Sequence, residues 1–169
     1  DGTKIRKVSP TGEVTTLAGS EVWGSIDGTG SAATFSSLSS LTIDSSGNIY
    51  IADGYKIRKV TSAGVVTTLA GSSVAGSADG PGASARFGQI SGLTIDSSGN
   101  IYAADSQNCK IRKVTPAGVV TTLAGSGSSG STDGPGYEAT FSAIGPIKVD
   151  GAGNVYLWES YKIRKITPQ

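Results

Sequence analysis

The chain has 169 residues, 37% of them hydrophobic, with 25 glycines and a formal net charge of +1. That length holds one ordinary domain with a core, and so small a charge supplies no field to draw the protein onto nucleic acid or an anionic membrane. No apolar run approaches the roughly 20 residues that span a bilayer, and a composition poor in apolar residues but rich in Gly, Ser and Thr predicts short strands joined by tight turns.

Lys-Ile-Arg-Lys occurs at 4–7, 56–59, 110–113 and 162–165, and the residues between its copies repeat as well. Self-similarity at such a period marks a repeat architecture. In chain order, strands are predicted over 4–8 and 14–18, joined by a turn that holds Pro10. A linker with Asp27-Gly28-Thr29-Gly30 follows, and then the first complete unit: 41–44, 49–53, 56–60 and 65–70. Short turns with Gly or Asn at positive φ suit the connections, so the unit reads as an antiparallel meander whose strand positions are labelled a to d. The linker recurs at 79–82 and 133–136, each time followed by Ala33, Ala85 or Ala139 and by Phe35, Phe87 or Phe141. A large apolar residue at one fixed place in a polar crossover is expected to plug the gap between units. A second complete unit follows, and the chain closes with a, b and c over 147–166. The units fall near 1–40, 41–92, 93–146 and a partial 147–169, with thirteen strands in all.

A four-stranded meander repeated with long crossovers is the plan of a β-propeller. Leu93-Thr94-Ile95-Asp96-Ser97-Ser98-Gly99-Asn100-Ile101-Tyr102-Ala103-Ala104-Asp105, followed by Lys110 to Val114, resembles the NHL-repeat propellers, and the Thr-Thr-Leu-Ala-Gly tail and Asp-Gly-x-Gly linker resemble the bacterial type. The last copy departs from the pattern at Ile147-Lys148-Val149-Asp150 and Tyr156-Leu157-Trp158-Glu159. The resemblance implies a ring, commonly of six blades. The expected fold is therefore an all-β propeller of four-stranded antiparallel blades, about three per chain, completed by another chain or a further segment. The ends are complementary, because the last unit lacks the strand that the first residues carry and the first lacks a and b. Unpaired edges invite association, and the expected interface comprises Lys4, Ile5, Arg6 and Val8 at one end and Trp158, Glu159, Ile163, Arg164 and Ile166 at the other. Three outcomes stand: a two-chain six-blade ring, a head-to-tail filament, or a segment of a longer propeller protein. Strand c occurs at both ends, one copy more than a simple two-chain ring uses. With Asp1 first and no Met, the sequence reads as a mature, processed protein or a piece of a larger one.

Twelve of the fourteen Lys and Arg residues lie in the Lys-Ile-Arg-Lys strands. A polyanion-binding patch is one reading. The favoured one is pairing within a blade, Asp53, Asp105 or Glu159 at the end of strand b meeting Arg58, Arg112 or Arg164 on strand c, and no nucleic-acid partner is expected. Arg6 has no such acid in its own unit, which makes Glu159 of another copy its candidate partner. Asp44, Asp96 and Asp150 are expected to bond turn backbone. Asp27, Asp79 and Asp133 offer too few oxygens for calcium and read as plain turns. The sequence has no His, which removes Ser-His-Asp, Cys-His and His-zinc arrangements, as well as the His-and-metal lyase chemistry of some propellers. The chain accordingly reads as no enzyme, without catalytic residues, metal or cofactor. The single Cys109 allows no internal disulfide and reads as a small loop residue or, second, as a thiol linking chains. Trp23 and Trp158 break the repeat; packing at a seam between chains is favoured for Trp158, and with Tyr161 the two form a weaker glycan-platform set. Together these point to a structural, self-assembling, protein-interaction module of a bacterial extracellular surface or filament protein, with a glycan-binding propeller as the alternative.

Overall fold

Period-two alternation and glycine turns build hairpins, and in the computed structural model, which describes residues 2–167, they build four sheets. The strands are β1 (Lys4–Val8), β2 (Val14–Gly19), β3 (Gly28–Thr29), β4 (Leu38–Ile43), β5 (Ile49–Asp53), β6 (Lys56–Val60), β7 (Val65–Gly71), β8 (Gly80–Pro81), β9 (Ile90–Ile95), β10 (Ile101–Asp105), β11 (Lys110–Val114), β12 (Val119–Ala124), β13 (Ile144–Val149), β14 (Val155–Glu159) and β15 (Lys162–Ile166). β4 to β7 and β9 to β12 are complete antiparallel blades, β1 and β2 form a c–d pair, and β13 to β15 form an a–b–c sheet. The all-β propeller architecture, about three blades' worth, is as the repeat predicts.

Two of the fifteen strands were not legible in the repeat. β3 pairs with Val65 and Val66 at the outer edge of β7, and β8 pairs with Val119 and Val120 of β12. The linker is therefore more than a crossover: it runs along the outer strand of the blade it is about to enter. This path places its acid and its phenylalanine.

The a–b turns are locked by their aspartates. Asp44 Oδ1 accepts the amides of Ser46 and Asn48 at 2.9 and 2.8 Å while Oδ2 takes Asn48 Nδ2 and the Tyr50 hydroxyl; Asp96 and Asp150 repeat the arrangement. The structural role expected for these three carboxylates holds. The tail glycine of strand d is equally determined. A Cβ on Gly71 (φ +92°) would lie 2.3 Å from the Tyr55 carbonyl oxygen, so only Gly fits at the end of strand d, where it pairs with Lys56 of strand c. Cys109 sits partly buried at φ 53° between a 3-10 turn and β11, a local loop position as expected.

The core lies between sheets rather than within one. Tyr50, Ala52, Ile57 and Phe87 pack with Ile90, Leu93 and Val120 across one seam, and Tyr102, Ala104, Ile111 and Phe141 pack with Ile144, Ile147 and Leu157 across the next. Along the inner strands, Ser39 Oγ donates to Ile90 O at 2.7 Å and Ser91 Oγ to Ile144 O at 2.6 Å, stitching each blade to its successor. Among the described residues no strand pairs with the outer edge of β15, and no helix is long and apolar enough to cross a membrane.

Candidate functional site

The predicted b–c ion pairs are present, and each is part of a larger clamp. Arg58 Nη1 donates to Asp53 Oδ2 at 2.7 Å and Nη2 to Asp27 Oδ1 at 2.7 Å; Arg112 does the same with Asp105 at 2.8 Å and Asp79 at 2.6 Å. Both guanidinium side chains are fully buried and lie over Phe35 and Phe87, 5.4 and 5.2 Å from the ring centroids. A buried cation needs paired charge and hydrogen bonds to offset its lost hydration; two carboxylates and an aromatic face supply them. Arg164 repeats the set with Glu159 at 2.8 Å, Asp133 at 2.7 Å and Phe141 at 4.6 Å.

The reading of Asp27, Asp79 and Asp133 as plain turns is corrected. Besides the arginine, Asp27 accepts the Thr68 amide and hydroxyl at 2.9 and 3.0 Å, and Asp79 accepts those of Thr122 at 2.9 and 3.1 Å. Asp27 and Asp79 thus tie strand d to the arginine of strand c. The near-constant offset, 31 residues from Asp27 to Arg58, 33 from Asp79 to Arg112 and 31 from Asp133 to Arg164, is the one sequence signal that could have revealed this. At the last sheet the clamp is open. Asp133 holds Arg164, but its side chain is 91% exposed, and a groove of about 990 Å³ runs where strand d lies in the complete blades, between Thr122 to Gly125, the 133–136 linker and Ile163 to Thr167.

Partial burial disfavours the charged forms of Asp27 and Asp79, but the Thr68 or Thr122 amide and the guanidinium outweigh it and hold both below the usual range of about 3.8. Glu159 is likewise lowered, burial being overcome by Arg164 and the Ser142 amide. Asp105 goes the other way, because burial outweighs its bonds from Asn108, the Gly88 amide and Arg112. The lowered groups contribute stability above their unfolded pKa values that disappears as pH falls through the folded ones, and Asp105 opposes them by taking its proton first. With the lowered carboxylates more numerous, the thermal midpoint followed by circular dichroism is expected to be lower at pH 3 than at pH 7. Asp79→Asn should flatten that acid limb.

The two ends differ from the interior. Arg6 is exposed and makes no ion pair among the described residues, although Ile5 is buried beneath it, Lys4 pairs with Glu21, and Val8 is exposed. At the other end Glu159 is buried and Arg164 is held by it, while Ile166 is partly buried. Trp158, Tyr161 and Ile163 stand exposed around an apolar hollow of about 520 Å³ with Pro146 and Tyr156. Trp23, exposed and donating Nε1 to Ser36 O at 2.8 Å, does not line that hollow. Trp158 occupies the repeat position of Ala52 and Ala104, and Ile163 that of Ile57 and Ile111, all four of which are fully buried in seams.

No protein-family model and no curated protein matches the sequence. Among solved structures, the fold is similar to a Bacteroides thetaiotaomicron protein of unknown function (28% identity, TM-score 0.78, covering 97% of this chain and 42% of that one). It is also similar to an auxiliary nutrient binding protein of the same organism (21% identity, TM-score 0.77, covering 97% and 42%). A virginiamycin B lyase from Staphylococcus aureus, solved with quinupristin, shares the fold at 14% identity and TM-score 0.56, covering 98% of this chain and 48% of that one. The chain therefore spans less than half the length of these three proteins. They are propeller proteins, and one is an enzyme. The expectation that this chain is no enzyme is corrected on that finding: the architecture is one that carries catalysis, and the missing histidine removes particular constellations rather than the class.

Proposed function

We propose that residues 1–169 are a single NHL-type propeller segment that works as a binding and self-association module at an extracellular or cell surface, its end sheets making the contacts. The carrying observation is the pair of end sheets: among the described residues, β1–β2 has two strands and an arginine, Arg6, in no ion pair, and β13–β15 has three strands and an exposed acid, Asp133, beside a free edge. Positions that are buried in the interior seams, as at Leu93, Ile147, Ile57 and Ile111, are exposed at the ends: Leu41 at 52% on one side, Ile163 at 82% on the other. Unpaired edges and apolar faces of this kind favour a protein partner.

Light scattering on the native protein tests this reading. Twice the chain mass, or an open series, is the expected result, and a monomer at all concentrations overturns it. A glycan-binding reading is favoured by one observation, the grouping of Trp158 and Tyr161 at an apolar hollow. Trp158→Ala separates the two. At a seam, the loss of a central aromatic weakens association by about tenfold or more, whereas for a glycan platform the native mass is unchanged and sugar binding disappears.

A further inference from the structure

The groove beside β15 and the β1–β2 hairpin each carry part of the clamp that the complete blades close. In the complete blades the arginine of strand c faces a threonine of strand d, Arg58 opposite Thr68 and Arg112 opposite Thr122, and the linker acid bonds both. The first sheet has the c–d half: Arg6 faces Thr16 in the same register, yet it meets no carboxylate among the described residues. The last sheet has the acids, Glu159 and Asp133, on β15's Arg164, and no threonine. β1 and β15 are nearly the same peptide, Lys-Ile-Arg-Lys-Val against Lys-Ile-Arg-Lys-Ile.

We propose that copies of this chain join by strand exchange: the β1–β2 hairpin of a second copy displaces β15 from β14, setting its Arg6 between Glu159 and Asp133 and its Thr16 on the free side of Asp133. This rests on the self-association reading and names its seam. The exchange leaves the β1–β2 pairing intact. The register pairs that β15 makes with β14, Val155 with Ile166 through Glu159 with Lys162, are remade by β1 residue for residue. What is gained is strand d, which fills the groove and satisfies Asp133 as Thr68 satisfies Asp27.

The merged blade also finds its neighbour. Tyr50 and Ala52 pack with Leu93 and Ile95 of the following blade, and Tyr102 and Ala104 with Ile147 and Val149. At the new seam Tyr156 and Trp158 face the corresponding Leu41 and Ile43 of the second copy, which are otherwise exposed.

Two measurements on the full chain test the exchange. By sedimentation, Arg6→Ala is expected to weaken association at least tenfold, while Arg164→Ala leaves it unchanged or strengthens it, since β15 then competes less well. The opposite pattern overturns the exchange. Because Arg164→Ala risks unfolding the last sheet, a second readout uses Val8→Cys with Val155→Cys in a Cys109→Ser background. Val155 pairs with Ile166, whose place Val8 takes, so oxidation is expected to link chains on a non-reducing gel. Association of the parent chain without such a link overturns the exchange and leaves the self-association reading standing; a parent chain that is monomeric at every concentration overturns both.

Discussion

Arg112→Ala is expected to destabilise the protein by about 3–5 kcal/mol, the scale on which breaking one side of a buried ion pair acts. The midpoint of thermal unfolding should fall on the order of 10 °C, taking about 2–4 °C per kcal/mol for a chain of this size. The substitution removes a cation with no exposure from between Asp105, itself fully buried, and Asp79. Asp105 keeps the Gly88 amide and Asn108 as donors but loses its only ion pair among the described residues, and Asp79 is left bonding Thr122 without the charge that links it to strand c. Arg112→Lys should recover only part of the loss, because one ammonium cannot reproduce a fork that meets two carboxylates and lies flat over Phe87. Arg6 provides the internal control. It has the same neighbours in sequence, but it is exposed and makes no ion pair among the described residues, so Arg6→Ala should change the stability of the isolated chain by no more than about 0.5 kcal/mol. Differential scanning calorimetry of the three variants measures all of this, and a cost for Arg112→Ala as small as that for Arg6→Ala would show that the clamp does not hold the blade.

Why half of that clamp was readable and half was not follows from distance along the chain. Asp53 and Arg58 lie on adjacent strands of one hairpin, so alternation and a short turn are enough to bring them together. Asp27 lies 31 residues from Arg58, and its place depends on the path of the linker. That path is fixed by Phe35 dropping into the seam, as its fixed place in the repeat predicts, and by two residue pairs to β7 that have no local period to read. A Gly-rich segment with one carboxylate looks like a turn until its edge pairing is seen. The repeat itself, the strand positions and the turn aspartates were legible because each is decided within a few residues. The Ser39 and Ser91 hydroxyls that bind the next blade were not, since Ser in a polar strand carries no sign of which carbonyl it will meet. Trp158 was legible only as an exception: its position in the repeat is the place of a buried alanine, but its exposure became clear only with the sheet in which it lies at an uncovered face.

Phe87→Ala should cost about 3–5 kcal/mol and should do so differently from Arg112→Ala. The ring is fully buried among Ala70, Ala85, Ile90 and Val120, in contact with the tail of strand d of the preceding blade at Gly71 and beneath Arg112 of its own blade. It belongs to the linker, and so it fills the space between two sheets that are otherwise joined mainly by inner-strand contacts. Loss of a residue within one blade weakens that blade; loss of Phe87 weakens the interface between two. In a stack whose stability is a sum of unit and nearest-neighbour terms, a weakened interface lowers cooperativity as well as the midpoint. The expected signature is a broadened unfolding transition with a smaller denaturant m-value, together with faster amide exchange concentrated in β9 and β10, which face that seam. Phe87→Leu, which keeps most of the volume, should restore the sharp transition. The double variant with Arg112→Ala should fall short of the sum of the singles, because the ring and the guanidinium stack and part of each loss is shared. Full additivity would mean that the aromatic plug and the charge clamp are separate devices, and the blade-to-blade junction would then have to be assigned to the apolar contacts alone.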